Sequence, residues 1–255
     1  MALFGLFGNS ETIYFPGCYT WEFVPKKIEN YRKILKKLDI DFKLHKNSEF
    51  ICCGGFLGEA GYEKDLRTNA KNNQLLIDNK KYKKIITSCP LCYNTFRSYK
   101  EILPNWNIEI EFIISSILNK LQEAKSPVKN YFSEPVAYYD SCYLGRYAEF
   151  IEPPRSLLKL LGFSVIELPN NKEETLCCGS CGNLPAANKE LSDNIAKKFI
   201  ESLIKRKISK IVTADPQAYY HLKKNSIAMQ IDEKTLEILE FSDLLCDALG
   251  IKRGD

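Results

Sequence analysis

The sequence predicts an α/β protein of two pseudo-repeated lobes, each a small, largely parallel sheet with flanking helices. Three observations carry this. Short apolar runs alternate with stretches of helical period, the signature of parallel α/β layers. Cysteines gather directly after the predicted strands, where ligands sit in such sheets. The second half then repeats the parts of the first in the same order, which implies two similar lobes. With 255 residues, 45% of them hydrophobic, the chain can bury two modest cores. The expected lobes are residues 1–125 and 134–255, joined by the polar stretch Ala124 to Ser133 around Pro127.

Thr12 to Phe15 reads as the first strand, running into Pro16-Gly17, so Cys18 is expected in a loop. From Pro25, Ile28, Tyr31, Ile34-Leu35 and Leu38 recur at three- and four-residue steps; Pro25 suits the first turn of that helix. Asp41 to Leu44 is the next strand, followed by Cys52-Cys53-Gly54-Gly55, whose glycines permit a tight turn around a bulky ligand. A polar helix then passes through Leu66 and Leu75-Leu76. Lys84 to Thr87 is a strand, and Pro90 opens a helix carrying Tyr93 and Phe96. Ile108 to Phe112 and a helix through Leu118 and Leu121 close the lobe.

The second half answers each part. Val136 to Cys142 matches Thr12 to Cys18, and the helix from Pro153-Pro154 matches the one from Pro25. After a strand at Phe163 to Leu168, Leu176-Cys177-Cys178-Gly179 matches Ile51 to Gly54. A helix is expected to bury Ala187, Leu191, Ile195, Phe199 and Leu203 on one stripe. Ile211 to Tyr219 matches Ile85 to Tyr93, and Thr235 to Leu249 matches the end of the first lobe. Spacings agree: Cys18 to Cys52 is 34 residues and Cys142 to Cys177 is 35; Cys53 to Cys89 is 36 and Cys178 to Asp215 is 37.

Five thiols stand in the first half: Cys18, Cys52, Cys53, Cys89 and Cys92. Thiolate is a soft ligand, suited to zinc, copper(I) or iron–sulfur clusters. The Cys-x-x-Cys step at 89 and 92 brings two sulfurs to one centre from a first helical turn. Neighbouring Cys52 and Cys53 rarely converge on one small ion but can bind two metals of a larger cluster. A polynuclear site is therefore favoured over one tetrahedral zinc, which would leave a thiol over. Disulfides are the bland alternative, and a lysine-rich chain without a secretory leader argues against them.

The second half departs from the pattern. Asp215 and Ala218 stand where the first has Cys89 and Cys92, and an extra thiol appears at Cys181. Cys142, Cys177, Cys178 and Cys181 form a candidate second site, with Asp215 as an auxiliary ligand. The alternatives are a lost site with structural remnants and redox-active thiols without metal. Cys246 falls in a helical stripe with Phe241 and Leu245 and reads as a small buried hydrophobe. His45 and His221 receive no role, although His221 follows the altered motif.

With 36 basic against 32 acidic residues, the charge is too balanced for nucleic-acid binding. No apolar run approaches the ~20 residues of a membrane span. The apolar stretch Met1 to Gly8 is read as covering an edge of its own domain or docking a partner. A cytoplasmic protein is expected, reaching a membrane only through partners.

The residues Cys18, Cys52-Cys53-Gly54 and Cys89-Pro90-Leu91-Cys92, with a second copy begun by Cys142 and Cys177-Cys178-Gly179, resemble the Cys-Cys-Gly (CCG) domain family of iron–sulfur proteins. That family includes a subunit of heterodisulfide reductase, the iron–sulfur subunit of glycolate oxidase and lactate utilisation protein A. The resemblance implies a 4Fe–4S cluster, of the noncubane form in the heterodisulfide reductase branch, on Cys18, Cys52, Cys53, Cys89 and Cys92. The altered lobe would then hold a second iron–sulfur cluster or zinc. The implied function is that of an iron–sulfur subunit of a multi-subunit oxidoreductase, passing electrons between a flavoprotein and another carrier, with a flavoprotein or ferredoxin-like subunit as partner. Two alternatives are a catalytic subunit reducing a disulfide and a zinc-stapled scaffold without enzymatic activity.

Overall fold

The computed structural model describes residues 10–45, 52–123 and 128–254. The apolar stretch at 1–8 lies outside them. The first sheet contains β1 (Thr12–Phe15), β2 (Lys43–Leu44), β3 (Lys84–Thr87) and β4 (Glu109–Phe112), in the order β2-β1-β3-β4, all parallel. The second contains β5 (Pro135–Tyr139), β6 (Ser164–Glu167), β7 (Lys210–Thr213) and β8 (Glu237–Glu240), in the matching order β6-β5-β7-β8, again all parallel. β1 and β3 have the bounds expected from the sequence, whereas β2 keeps only the last two of the four expected residues, β4 starts one residue late and β6 loses one residue at each end.

Helices cover both faces of each sheet, which is why the central strands read as continuous apolar runs. Between the sheets lie α2 (Pro25–Lys37) and α6 (Ile113–Glu123) of the first lobe, with α7 (Glu152–Leu160) and α11 (Phe241–Leu249) of the second. Their apolar faces share one core, in which Tyr14 and Ile86 from one sheet meet Val136, Tyr138, Val212 and Leu239 from the other through these helices. Cys246 is fully buried there, as its stripe predicts. On the outer faces, α4 (Glu63–Lys80) and α5 (Pro90–Ile102) cover the first sheet, and α9 (Lys189–Lys205) and α10 (Pro216–Ala228) the second.

The inter-lobe contacts obey a pseudo-two-fold. Helix α2 packs on α11, and their counterparts α7 and α6 pack on each other. The short helix α1 (Cys18–Phe23) packs on α10, and its counterpart, a π-type turn at Tyr143–Tyr147, packs on α5. The interface also holds a polar network. Lys27 Nζ lies 2.6 Å from Asp243 Oδ2, Asn30 Nδ2 donates to Asp243 Oδ1 at 3.2 Å, and the Tyr31 hydroxyl donates to Glu240 at 2.6 Å.

Two expectations need correction. Cys18 is not in a loop but opens α1, because Gly17 turns the chain straight into a helical turn. The stripe Ala187–Leu191–Ile195 is out of phase: Ala187 ends a separate short helix α8 (Leu184–Ala187), Asn188 caps α9, and the buried face is Ser192, Ala196, Ile200 and Leu203. Leu191 is 48% exposed. The described part of the expected linker is anchored: the Lys129 and Asn130 amides donate to Ala248 O, and Phe132 stacks on Phe163 at 4.4 Å. No helix among the described residues is long and apolar enough to cross a membrane.

Candidate metal centres

In an open parallel sheet the strand order reverses at a switch point, and a crevice opens above the strand ends there. In both lobes that point falls between the first and third strands in sequence. Cys18 stands three residues past β1, and Cys142 three past β5. Cys89 stands two past β3, and Asp215 two past β7. The repeat read from sequence is thus a repeat in space.

In the first lobe, Cys89 is the N-cap of α5 and Cys92 lies in its first turn, so both sulfurs face the crevice mouth from one helix end. Gly17 closes onto them. It has φ +91°, and a Cβ there would sit 2.8 Å from Cys89 Cβ and 3.2 Å from Cys92 Sγ. The Cys52-Cys53 backbone is clamped from outside: Asn69 and Asn73 donate to Cys52 O at 2.7 and 3.0 Å, and the Tyr99 hydroxyl to Cys53 O at 2.7 Å. Cys53, Cys89 and Cys92 are buried; Cys18 and Cys52 are half-buried. Cys18 Sγ lies 3.9 Å from Cys52 Sγ, and the thiols of Cys53, Cys92 and Cys89 follow as successive electrostatic neighbours. The Cys52 thiol is pulled down to about 3, first by the Cys18 sulfhydryl, then by that of Cys53, against burial, and with help from the Gly54 N–H at 3.3 Å. Cys53 is held well above the ordinary thiol range, first by Cys52 and against the pull of Cys92, with burial adding to the rise, and Cys92 is held up by Cys53, Cys89 and burial.

In the second lobe a buried ion pair sets the geometry. Arg155 donates to both Asp140 oxygens at 2.9 and 2.7 Å and also to Glu167. Asp140 in turn accepts from the Lys172 amide at 2.9 Å, and its carbonyl accepts from the Thr175 hydroxyl at 2.6 Å. This ties the β5 end to the loop leading into Cys177. Cys142, Cys177 and Cys181 are brought so close that their sulfurs all lie within 4.8 Å of one another, the one such group of three among the described residues. Cys142 and Cys181 sulfurs are 3.1 Å apart. Cys177 is the thiol held down here, to about 2, by hydrogen bonds first from Cys142 and then from Cys181.

Cys178 stands aside from the three. It is fully buried in the outer core of its lobe, its sulfur 3.4 Å from the Ser180 hydroxyl, and burial pushes its thiol up to about 12. Asp215 replaces Cys89 at the helix N-cap and uses Oδ1 to accept from the Gln217 amide at 2.9 Å. Its other oxygen has no hydrogen-bond partner within 3.5 Å, and burial raises the carboxyl to about 6 against the opposing pull of the Ser141 hydroxyl. Asp215 acts electrostatically on Cys142, Cys177 and Cys181, so it borders the triad. Ala218 offers no ligand. His221 lies behind the site: its Nε2 is 3.2 Å from the Ser192 hydroxyl and would meet a Cβ on Gly179, where φ is +95°.

Sequence reasoning missed the residues that join the two centres. Each lobe's first cysteine is followed by a tyrosine that enters the other lobe. Tyr143 sits in the first lobe's core with Cys53, Cys89 and Cys92, donates to Glu59 and accepts from the Gly182 amide at 3.1 Å. The Tyr19 phenol lies in the field of Asp215, Tyr220, Cys178 and Cys181, and burial first, then these charges, raise it. Cys181 itself packs against the first lobe's core. The matched pairs Cys18-Tyr19 and Cys142-Tyr143 are the signal that could have revealed this crossing.

Fold and sites together define a duplicated α/β protein that presents one thiol-rich crevice per lobe. The chain belongs to the CCG cysteine-rich domain family, whose pattern it matches over residues 12–97 and 136–223. Among curated relatives it is similar to a subunit of the dihydromethanophenazine:CoB–CoM heterodisulfide reductase of Methanosarcina mazei, 23% identical over 96% of this chain and 60% of that one. It is also similar to the probable iron–sulfur-binding oxidoreductase FadF of Bacillus subtilis, 27% identical over 89% of this chain and 32% of that one. A third is the EtfAB:quinone oxidoreductase of Syntrophomonas wolfei, 28% identical over 85% and 31%. The chain thus spans less than two thirds of the length of these relatives.

Proposed function

We propose that Cys18, Cys52, Cys53, Cys89 and Cys92 hold a 4Fe–4S cluster, and that the chain is the electron-transferring iron–sulfur part of a multi-subunit oxidoreductase. It would exchange electrons between a flavoprotein and another carrier. The observation that carries this is the convergence of five thiols over one switch-point crevice, neighbours in a row from Cys18 and Cys52 to Cys89 and not gathered around a point. Five thiolates exceed one per iron of a 4Fe–4S core, which favours the opened, noncubane form. The family membership and the relatives named as iron–sulfur and heterodisulfide proteins support the same reading.

Such a cluster supplies one-electron exchange. The chain's own part is to hold and tune it. Burial of Cys53, Cys89 and Cys92 keeps water from three of the sulfurs. The Gly54 amide points at Cys52 Sγ, and hydrogen bonds to ligand sulfur are a main lever on potential. Asn69, Asn73 and Tyr99 fix the Cys-Cys backbone from behind, the supporting role that orients ligands.

For the second lobe, the compact Cys142–Cys177–Cys181 triad with Asp215 beside it favours a single tetrahedral ion such as zinc over a second cluster. The deciding experiment is metal and acid-labile sulfide analysis of anaerobically purified protein. About four irons and four sulfides per chain are expected, with zinc in the second lobe. Zinc without iron or sulfide would leave only the scaffold reading. Cys53→Ser is expected to remove most of the iron and the visible absorbance, because oxygen substitutes poorly for thiolate at such a site. The nearness of Cys181 to the first lobe's core favours one further reading, disulfide reduction between the centres. Turnover of a disulfide by the reconstituted protein with an artificial donor would select it.

A further inference from the structure

Beside the second centre, a cleft of about 450 Å³ opens between the α1–α2 corner and α10. That volume is in the range of sites for small ligands, which form where domains meet and are mostly apolar with few polar groups. Its walls leave large apolar side chains to water: Phe23 is 45% exposed and Ile227 66%. The Phe23 and Tyr220 rings stand 5.0 Å apart at 40°, and Tyr19 packs against both, at 4.5 and 6.0 Å. Through Tyr19 this aromatic wall adjoins Asp215 and Cys181.

The charged residues of the cleft are all lysines. Two are occupied: Lys27 is held by Asp243 with its ammonium 4.4 Å over the Tyr219 ring, and Lys223 pairs with Glu233. Lys26 and Lys224, on opposite walls, form no close ion pair among the described residues, Lys224 lying only in the wider field of Asp193, which Lys189 already pairs. An apolar slot with aromatic faces and two ammonium groups outside any close ion pair is complementary to a flat, apolar body carrying negative charge. We propose that this cleft is a binding site for a planar aromatic anion, a function separate from metal ligation.

The probe is anthraquinone-2-sulfonate, titrated into the intact metal-loaded protein and followed by calorimetry. Saturable one-to-one binding is expected. Lys224→Glu and Ile227→Asp, both at exposed positions of α10, should each raise Kd at least tenfold, while iron content and melting temperature stay as in the parent. Lys26→Glu, on the opposite wall, should do the same. Uncharged 2-methylanthraquinone should bind at least fivefold more weakly. Binding by Cys53→Ser protein should be retained, so that failure of the iron assignment and failure of this one are read separately. Absence of saturable binding, equal affinity for the uncharged analogue, or unchanged Kd in the three variants would each overturn the proposal.

Discussion

Glu240 offers a quantitative test of how the lobes are held together. It ends β8, is fully buried and caps α11. One carboxylate oxygen accepts from the Tyr31 hydroxyl across the interface at 2.6 Å; the other accepts from the Ser242 amide at 2.8 Å and from the Ser242 hydroxyl. Burial first, and then the Asp243 charge, push its carboxyl from 4.5 up to about 7, against Lys27, Ser242 and Tyr31. The folded protein therefore holds this proton more tightly than the unfolded chain. The stability it contributes is complete below pH 4.5 and is lost as pH rises through 7. At 1.36 kcal/mol per pKa unit, the loss is about 3 kcal/mol by about pH 8.5. Glu240→Gln keeps the shape and removes the titration. Urea unfolding of parent and variant at about pH 5 and about pH 8.5 isolates the effect as a double difference. The variant is expected to gain about 2–3 kcal/mol on the parent between the two pH values, or roughly 5–10 °C in melting temperature. A double difference below about 1 kcal/mol, or one of opposite sign, would refute the account of Glu240 as a carboxyl desolvated at the interface.

Three further outcomes are expected. Cys181→Ser should spare the first lobe's visible spectrum and release only the second lobe's metal, whereas Cys89→Ser should abolish the spectrum; loss of the main signal on changing Cys181 would mean that the lobes share one site. Arg155→Met strands the fully buried Asp140 without its counter-charge and should cost about 3–5 kcal/mol, read by calorimetry, together with second-lobe metal. Gly17→Ala forces a Cβ to 2.8 Å from Cys89 Cβ at φ +91°; it should cost about 1–2 kcal/mol and reduce first-lobe iron, measured beside the parent.

The architecture was legible because its strands are buried on both faces and its repeat is written in spaced cysteines. Two-sided burial gives apolar runs such as Ile85-Ile86, and the switch-point rule then places the residues just beyond the strand ends. Tertiary contacts decided the features that escaped. Asn69 and Asn73 look like solvent-facing residues of a lysine-rich helix, yet they share its inner face with Ile77 because Cys52 O needs donors. The phase of α9 turned on a cap at Asn188, which outweighs the appeal of burying Leu191. The separation of Cys178 from Cys142, Cys177 and Cys181 has no counterpart in spacing. It comes from the Tyr139 hydroxyl, which accepts from the Cys178 amide at 2.9 Å and donates to Leu176 O.

The crossed tyrosines bear on ancestry. Tyr19 and Tyr143 each complete the neighbour of the lobe that encodes them, and the contacts around them come in symmetric pairs. Two identical half-length chains could make both exchanges at once, since a two-fold axis demands only that one surface fit itself. A gene duplication followed by fusion would inherit that closed pair ready-made. Once the copies were joined, each was free to change its own crevice, provided the tyrosine it lends stayed in place. The replacement of Cys89 and Cys92 by Asp215 and Ala218 in the later copy is the kind of divergence that a homodimer, bound to mutate both halves together, could not have explored.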